Sequence, residues 1–154
     1  GLLANYTSIL QNTDVVTVLG GTNDYNHGST TIGAYTDAAG ADTLYGAFKA
    51  IVNAVYAVDP EIQIVFFSQP ERGIYNGNPA NTTPPATNQN GLNMHNIAIA
   101  MEDFCNRRGL PYGNTHQKLW TMEQLNIYTS DNLHPNILGG DKLGRIMGKV
   151  INDL

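Results

Sequence analysis

The chain has 154 residues, of which 42% are hydrophobic and 14% charged, so it can form one folded domain and is not a disordered tail. Thirteen Asp and Glu against eight Lys and Arg give a formal net charge of −5. Without a basic cluster, this argues against nucleic acid and anionic membrane surfaces as partners. A single cysteine, Cys105, leaves no pair for an internal disulfide, and no apolar run reaches the roughly 20 residues of a membrane span.

The first predicted elements are the end of a helix and a buried strand. Leu2–Gln11 is predicted to be helical, and Asn12-Thr13-Asp14 breaks that helix. Val15–Leu19 is a short β-branched run stopped by two glycines, which is typical of a buried parallel strand. Residues 23–40 are polar and glycine-rich, and we predict a loop there.

A second helix and strand follow this loop. Asp42 is the predicted N-cap of a helix with one apolar face, and Asp59-Pro60 ends that helix. Ile62–Phe67 (IQIVFF) is the second predicted buried strand. Residues 73–93 show no regular pattern, and an irregular segment of this length in a small domain is usually functional or mobile.

The C-terminal part continues the alternation of helix and strand. Met94–Arg108 is predicted as a helix with Cys105 on its inner face and Gly109 as its C′ residue. Leu110–Asn114 is a weak third strand, and the last helix follows. This order predicts an α/β fold with an open parallel sheet and helices on both faces, where ligands bind beyond the carboxyl ends of the strands.

The segment GGTNDY, residues 20–25, follows the first predicted strand directly. Its glycines permit a tight turn, and Asn23 places a neutral amide donor at the end of the strand. A fixed donor there suits an oxyanion hole, where one donor contributes roughly 3 kcal/mol. The alternatives are that Asn23 only caps a turn and that Asp24 only holds the loop through backbone N–H groups.

The segment DNLHPN, residues 131–136, stands just before the last predicted helix. His134 is a base whose type titrates near neutral pH. Asp131 lies three residues earlier, close enough in a turn to accept a hydrogen bond from one ring nitrogen and to orient the imidazole. The alternative is a plain loop that caps the following helix.

Together these two segments resemble the SGNH (GDSL-like) hydrolase family. GGTNDY is similar to the family block in which Gly-x-Asn-Asp supplies the oxyanion asparagine. DNLHPN is similar to the Asp-x-x-His block that supplies the His and Asp of a Ser-His-Asp triad. The resemblance covers nearly the whole chain.

The resemblance implies a flavodoxin-like three-layer α/β/α sandwich with a parallel sheet and an ester hydrolysis that needs no metal or organic cofactor. It assigns His134 as the base, Asp131 as its orienting partner and Asn23 as the oxyanion donor. The residues expected to contact the substrate are Gly21, Asp24 and Tyr25.

Two family blocks are missing from this sequence: the block with the nucleophilic serine and the block with an oxyanion glycine, both of which precede the Gly-x-Asn-Asp block in the family. The nucleophilic serine of the family lies in a Gly-Asp-Ser motif that precedes the Gly-x-Asn-Asp block, and the 19 residues before Gly20 do not contain it. We therefore expect residues 1–154 to be the C-terminal part of a single SGNH hydrolase-like domain. The serine and the first strands are expected upstream of Gly1, because Val15–Leu19 would otherwise lie at a bare sheet edge.

Three serines are alternatives for the nucleophile. Ser29 lies in a loop, Ser68 ends the second predicted strand, and Ser130 precedes Asp131. None is predicted to lie in a tight strand-to-helix turn with backbone donors. Ser68 is the strongest of the three, and we expect none of them to be the nucleophile.

Three functions remain open from the sequence. The first is a serine-type ester hydrolase, with an O-acetyl group on a carbohydrate as the preferred substrate because the loops are rich in Asn, Thr, Tyr and Gly. The second is a catalytically inactive SGNH-like module that binds glycans. The third is a metal-dependent hydrolase using Asp24, Asp131 and His134, which has too few clustered ligands. Abundant Asn and Thr and scarce Lys favour an extracellular, virion or cell-surface location.

Overall fold

The computed structural model describes residues 7–27, 30–73, 87 and 91–154. In chain order its elements are α1 (Thr7–Leu10), β1 (Val15–Leu19), α2 (Thr22–His27), α3 (Leu44–Tyr56), β2 (Gln63–Phe67), α4 (Met94–Arg108), β3 (Tyr112–Gly113), α5 (Thr115–Lys118), a 3₁₀ turn (Met122–Gln124), α6 (Leu125–Tyr128) and α7 (Ile137–Asn152). Most of the irregular segment 73–93, and Ser29, lie outside the described residues. The predicted alternation of helices and strands is confirmed.

The strands form one parallel sheet in the order β1-β2-β3. Val15 of β1 pairs with Gln63 of β2, and the register runs on to the end of both strands. Phe66 pairs with Tyr112 of the short strand β3. The carboxyl ends of all three strands therefore meet at one edge of the sheet, as the predicted α/β fold requires.

Strand β2 is buried on both faces. Ile64 and Phe66 point into the main core cluster, which also contains side chains from α3 and α4. Val65 and Phe67 point to the opposite face and are equally buried. Because successive side chains of a strand alternate in direction, this pattern requires cover on both sides of the sheet. A second cluster, packed against α7, is built around Leu119, Trp120 and Leu125.

Strand β1 is less covered than the sequence predicts. Val16 and Val18 pack against the main core. On the other face Thr17 is exposed and Leu19 is 37% exposed. Within the described ranges, β1 pairs only with β2, so its second edge carries no ladder. The sequence predicts β1 to be buried on both faces, but in this structure one of its faces is exposed at Thr17 and Leu19.

Several local boundaries differ from the prediction. The cap of α3 is Thr43, whose hydroxyl oxygen accepts a hydrogen bond from Gly46 N at 3.0 Å, whereas Asp42 is exposed. The prediction of Asp42 as cap was wrong because the helix begins one residue later. Helix α4 has the predicted bounds and ends at Gly109 in the left-handed conformation. Cys105 is buried, and burial raises the pKa of its thiol to about 12.

None of the helices in the described ranges is both long and apolar enough to cross a membrane.

Candidate active site

The Asn23 segment is a helix and not the predicted loop. Gly21 has φ +114°, and a Cβ there would lie 2.6 Å from the Cγ2 atom of Ile97, so only glycine fits this turn. Tyr25 N donates to the Gly21 carbonyl oxygen at 3.0 Å and closes the first turn of α2. Asn23 thus lies on the first turn of a helix directly after β1, and its side chain is exposed.

The neighbours of Asn23 have different surroundings. Asp24 is half-buried on the first turn of α2. Tyr25 is only 2% exposed and belongs to the main core, where burial raises the pKa of its phenol. The prediction of Tyr25 as a substrate contact does not fit this burial, because its ring is packed against other side chains. The sequence places an aromatic residue in the GGTNDY segment, but it does not determine whether its side chain points to the core or to solvent.

Asp131 and His134 form the predicted pair. His134 Nδ1 lies 2.7 Å from Asp131 Oδ2. The other carboxylate oxygen accepts hydrogen bonds from the backbone N–H groups of His134, at 2.7 Å, and Leu133, at 3.1 Å. The bond from the His134 ring is the main cause that lowers the pKa of Asp131 below its usual range. The carboxylate is thus held ionised by its own loop, and it fixes the imidazole.

The loop of this pair is anchored at both ends. Ser130 donates to the carbonyl oxygen of His134 from its backbone N, at 2.9 Å, and from its hydroxyl, at 3.2 Å. Asn136 caps α7 by accepting from Gly139 N at 3.0 Å, and its amide donates to the Ile127 carbonyl oxygen at 2.8 Å. Backbone and cap bonds therefore set the position of the His134 backbone.

The loop after β2 links the two candidate segments, and sequence reasoning missed its role. Arg72 Nη1 donates to the Thr22 carbonyl oxygen at 3.1 Å and to its hydroxyl oxygen at 2.9 Å. The next residue, Gly73, donates from its backbone N to the Asn132 carbonyl oxygen at 2.8 Å. Consecutive residues of one loop thus contact the residue before Asn23 and the loop of His134. The available signal was the position of this loop just beyond the carboxyl end of a predicted strand.

Neither Ser68 nor Ser130 has the surroundings of a nucleophile. Ser68 is fully buried, and its hydroxyl oxygen accepts from His116 N at 2.9 Å. The Ser130 hydroxyl donates to the backbone carbonyl of His134 and not to its ring. Ser29 lies outside the described residues.

A further polar group lies beside the loop after β2. His116 Nδ1 is 3.2 Å from the Gln69 carbonyl oxygen, and its Nε2 is 3.9 Å from Glu71 Oε2. Burial lowers the pKa of His116. Trp120 donates from Nε1 to the Glu71 carbonyl oxygen at 2.9 Å and stacks on Tyr128 with 5.8 Å between ring centroids. Trp120 therefore packs between the loop after β2 and α6.

The described part of the chain contains no cluster of residues that could bind a metal ion. No group of three or more His, Cys, Asp or Glu side chains converges there. Asp24, Asp131 and His134 are all among the residues described, so they do not form the metal site of the third hypothesis.

The fold and the site together define a class of protein. A parallel α/β sheet has Asn23 on the helix that follows β1, and the loop after β2 contacts the loop in which Asp131 orients His134. The family model of the GDSL-like lipase/acylhydrolase family matches residues 2–141, and the chain belongs to this family. The predicted family is thereby confirmed, and membership supports a hydrolase.

Solved structures show the same fold. A protein of Lactobacillus plantarum is 24% identical with a TM-score of 0.83, and the match covers 99% of this chain and 73% of that one. A possible lipase from Chitinophaga pinensis is 19% identical with a TM-score of 0.78, over 98% and 79% of the two chains. A catalytic mutant of an acetylxylan esterase from Geobacillus stearothermophilus is 14% identical with a TM-score of 0.59, over 97% and 67%. A comparison with curated proteins gave no match.

Proposed function

We propose that this protein is a serine ester hydrolase in which His134 is the general base, Asp131 its orienting partner and Asn23 an oxyanion donor. The observation that carries the proposal is the 2.7 Å contact between His134 Nδ1 and Asp131 Oδ2. The His134 side chain is 59% exposed, so the imidazole is accessible to a substrate. An exposed base with its tautomer set by a carboxylate is what acyl transfer to serine requires.

In the proposed reaction, each of these residues has one role. The serine hydroxyl attacks the ester carbonyl carbon and gives its proton to His134, while the negative charge moves onto the carbonyl oxygen. Asn23 stabilises that oxygen by donating an amide hydrogen bond. His134 then returns the proton to the leaving alkoxide, and a water molecule, activated by the same imidazole, releases the acid and restores the serine. Asp131 stays ionised throughout and stabilises the imidazolium.

The nucleophile belongs, in this proposal, to a segment preceding Gly1 that pairs with the open edge of β1. Two observations support the location. β1 has an unpaired edge within the described ranges, and its outer face leaves Thr17 exposed and Leu19 37% exposed. An open strand edge presents unpaired backbone N–H and C=O groups with which another strand can pair.

The proposed substrate is a small acyl ester, with an O-acetyl group on a carbohydrate as the preferred case. Support comes from the composition of the segments around the site, which are rich in side chains that hydrogen-bond sugar hydroxyls. A glycan-binding module without activity is the second candidate, and the exposed Asn23 and His134 side chains suit hydroxyl groups in that case too. An extracellular, virion or cell-surface location accompanies either function in this proposal.

A fluorophosphonate probe tests the nucleophile directly. The native protein is treated with the probe and its intact mass is measured under denaturing conditions. We expect one adduct, on a serine upstream of Gly1 or on a second fragment that carries that serine. An unlabelled protein that nevertheless retains acetylated or free glycans in a binding assay would replace the hydrolase with the binding module.

Variants of the site residues separate the individual roles. We expect His134→Ala to lower kcat for a small acetyl ester by at least about 10⁴-fold, and Asn23→Ala by about 10²- to 10³-fold. Asn106→Ala, which changes an exposed asparagine near the end of α4, is the matched control and should leave kcat unchanged. Ser130→Ala should retain most of the activity, because the backbone N of Ser130 still donates to the His134 carbonyl oxygen. Loss of probe labelling in that variant would reassign the nucleophile to Ser130.

A further inference from the structure

Arg72 is a buried cation whose hydrogen-bond donors are only partly paired. The side chain is only 4% exposed. Its Nε and Nη2 atoms are buried without a hydrogen-bond partner. Among the described residues no carboxylate forms a salt bridge with it, so the positive charge is not neutralised there. A buried, incompletely paired cation costs stability, and such a group commonly persists because function needs it.

The contacts of Arg72 converge on the first turn of α2. Nη1 binds both oxygens of Thr22, the residue before Asn23. The guanidinium carbon lies 5.2 Å from the centroid of the Tyr25 ring, two residues after Asn23. A planar guanidinium with several donors suits such a two-sided contact better than an ammonium group. The backbone that carries Asn23 is thus held on both sides by one side chain.

We propose that Arg72 is the positioning residue of the oxyanion donor: it fixes the turn that presents Asn23 and places a buried positive charge next to the site where negative charge develops. The charge acts in a water-poor environment, where it favours an anionic transition state more than it would at the surface. Its neighbour Gly73 binds the Asn132 carbonyl oxygen at 2.8 Å, so the same loop also sets the catalytic loop relative to this charge. This inference rests on the proposed function.

The test compares Arg72→Met, Arg72→Lys and Thr22→Val with the control Arg108→Met in the complete native protein. Arg108 is an exposed arginine whose guanidinium also lies over an aromatic ring, 5.7 Å from the centroid of Phe104. We expect Arg72→Met to lower kcat for a small acetyl ester by about 10- to 100-fold with KM changed less than about twofold. The control should match the unmodified protein, Arg72→Lys should recover part of the loss, and Thr22→Val should lose less than Arg72→Met.

Stability distinguishes positioning from a structural role. Because Arg72→Met removes a buried charge with unpaired donors, we expect its melting temperature to be unchanged or higher. A folded Arg72→Met with full kcat would overturn the inference, and so would a parallel loss of melting temperature and of substrate affinity.

Amide hydrogen exchange separates failure of this inference from failure of the proposed function. Arg72→Met should speed exchange at the Tyr25 amide, which donates to the Gly21 carbonyl oxygen and closes the first turn of α2, and Arg108→Met should not. If the unmodified protein hydrolyses no ester, the proposed function fails, while faster exchange in Arg72→Met still supports the positioning role. Unchanged exchange at the Tyr25 amide would overturn that role, whatever the activity.

Discussion

The Asp131 carboxylate illustrates how a short stretch of sequence builds an oriented base. One of its oxygens accepts two backbone N–H bonds from its own turn, and the other meets His134 Nδ1 at 2.7 Å. These bonds all favour the ionised carboxylate, and the His134 ring contributes most to its lowered pKa. The intervening Asn132 makes the turn possible by adopting φ 65°, a conformation that asparagine tolerates better than most residues.

The lowered pKa of Asp131 predicts the pH dependence of the loop. A carboxyl whose folded pKa is depressed contributes stability above its unfolded pKa, about 3.9, and loses it as the pH falls through the folded value. We expect a carboxyl carbon NMR titration of Asp131 to show a midpoint below that of an ordinary aspartate. Asp131→Asn should lower kcat by between about 10² and 10⁴-fold, since an amide no longer selects the required tautomer. A midpoint at or above about 4 would contradict the observed hydrogen bonds.

Helix α7 supports the loop that carries His134. Its cap, Asn136, also reaches back to Ile127 and Tyr128 of α6, and Thr129 forms an antiparallel bridge with Pro135. The first turn of α7 packs so closely on α6 that a side chain at Gly139 would overlap the Tyr128 carbonyl oxygen. The position of His134 therefore depends on contact between two helices as well as on its own turn.

Substitutions at two adjacent glycines test whether the contact between α6 and α7 supports the His134 loop. Gly139→Ala should separate α7 from α6, lower stability and reduce kcat, because the carbonyl of Tyr128 cannot yield space cheaply. Gly140→Ala is the control: a Cβ there meets nothing within 4 Å, and alanine favours the helix by about 0.8–1 kcal/mol. Chemical denaturation and ester hydrolysis measured on both variants give the comparison. Equal stability of the two would show that the α6–α7 contact does not hold the loop.

At the scale of the whole molecule, the cover of the sheet is uneven. β2 is buried on both faces, while β1 leaves Thr17 exposed and has an unpaired edge in the described ranges. An edge of this kind pairs readily with other strands. The open side of β1 thus lies where the proposed serine-bearing segment is expected.

Hydrogen exchange tests the pairing of β1. In the native protein, amides on the outward edge of β1 should exchange slowly if the proposed segment pairs there. In a chain restricted to residues 1–154 the same amides should exchange fast, and that chain should self-associate more strongly as concentration rises. The amides of β2 serve as the internal control and should be protected in both. Fast exchange along β1 in the native, catalytically active protein would contradict the proposed pairing of β1 with the serine-bearing segment.

Much of the fold and part of the site could be predicted because the signals are local. The continuous apolar run of β2 and the caps of α4 specify those elements through nearest neighbours along the chain. The Asp131–His134 contact spans three residues and needs only a turn, so its sequence spacing was sufficient. The resemblance to the family rested on two local blocks, and the family model over residues 2–141 confirmed it.

By itself, the sequence determined the α/β order, the paired carboxylate and imidazole, and the presence of an amide donor after β1. Only the tertiary structure decided that Asn23 lies on a helix, that Tyr25 turns into the core, and that Arg72 reaches Thr22 across 50 positions of sequence. The reason is physical: contacts between distant segments depend on how helices and strands pack, and packing is set by the sum of many weak apolar contacts. A periodic pattern predicts which side chains are buried, but not which distant oxygen a buried guanidinium will meet.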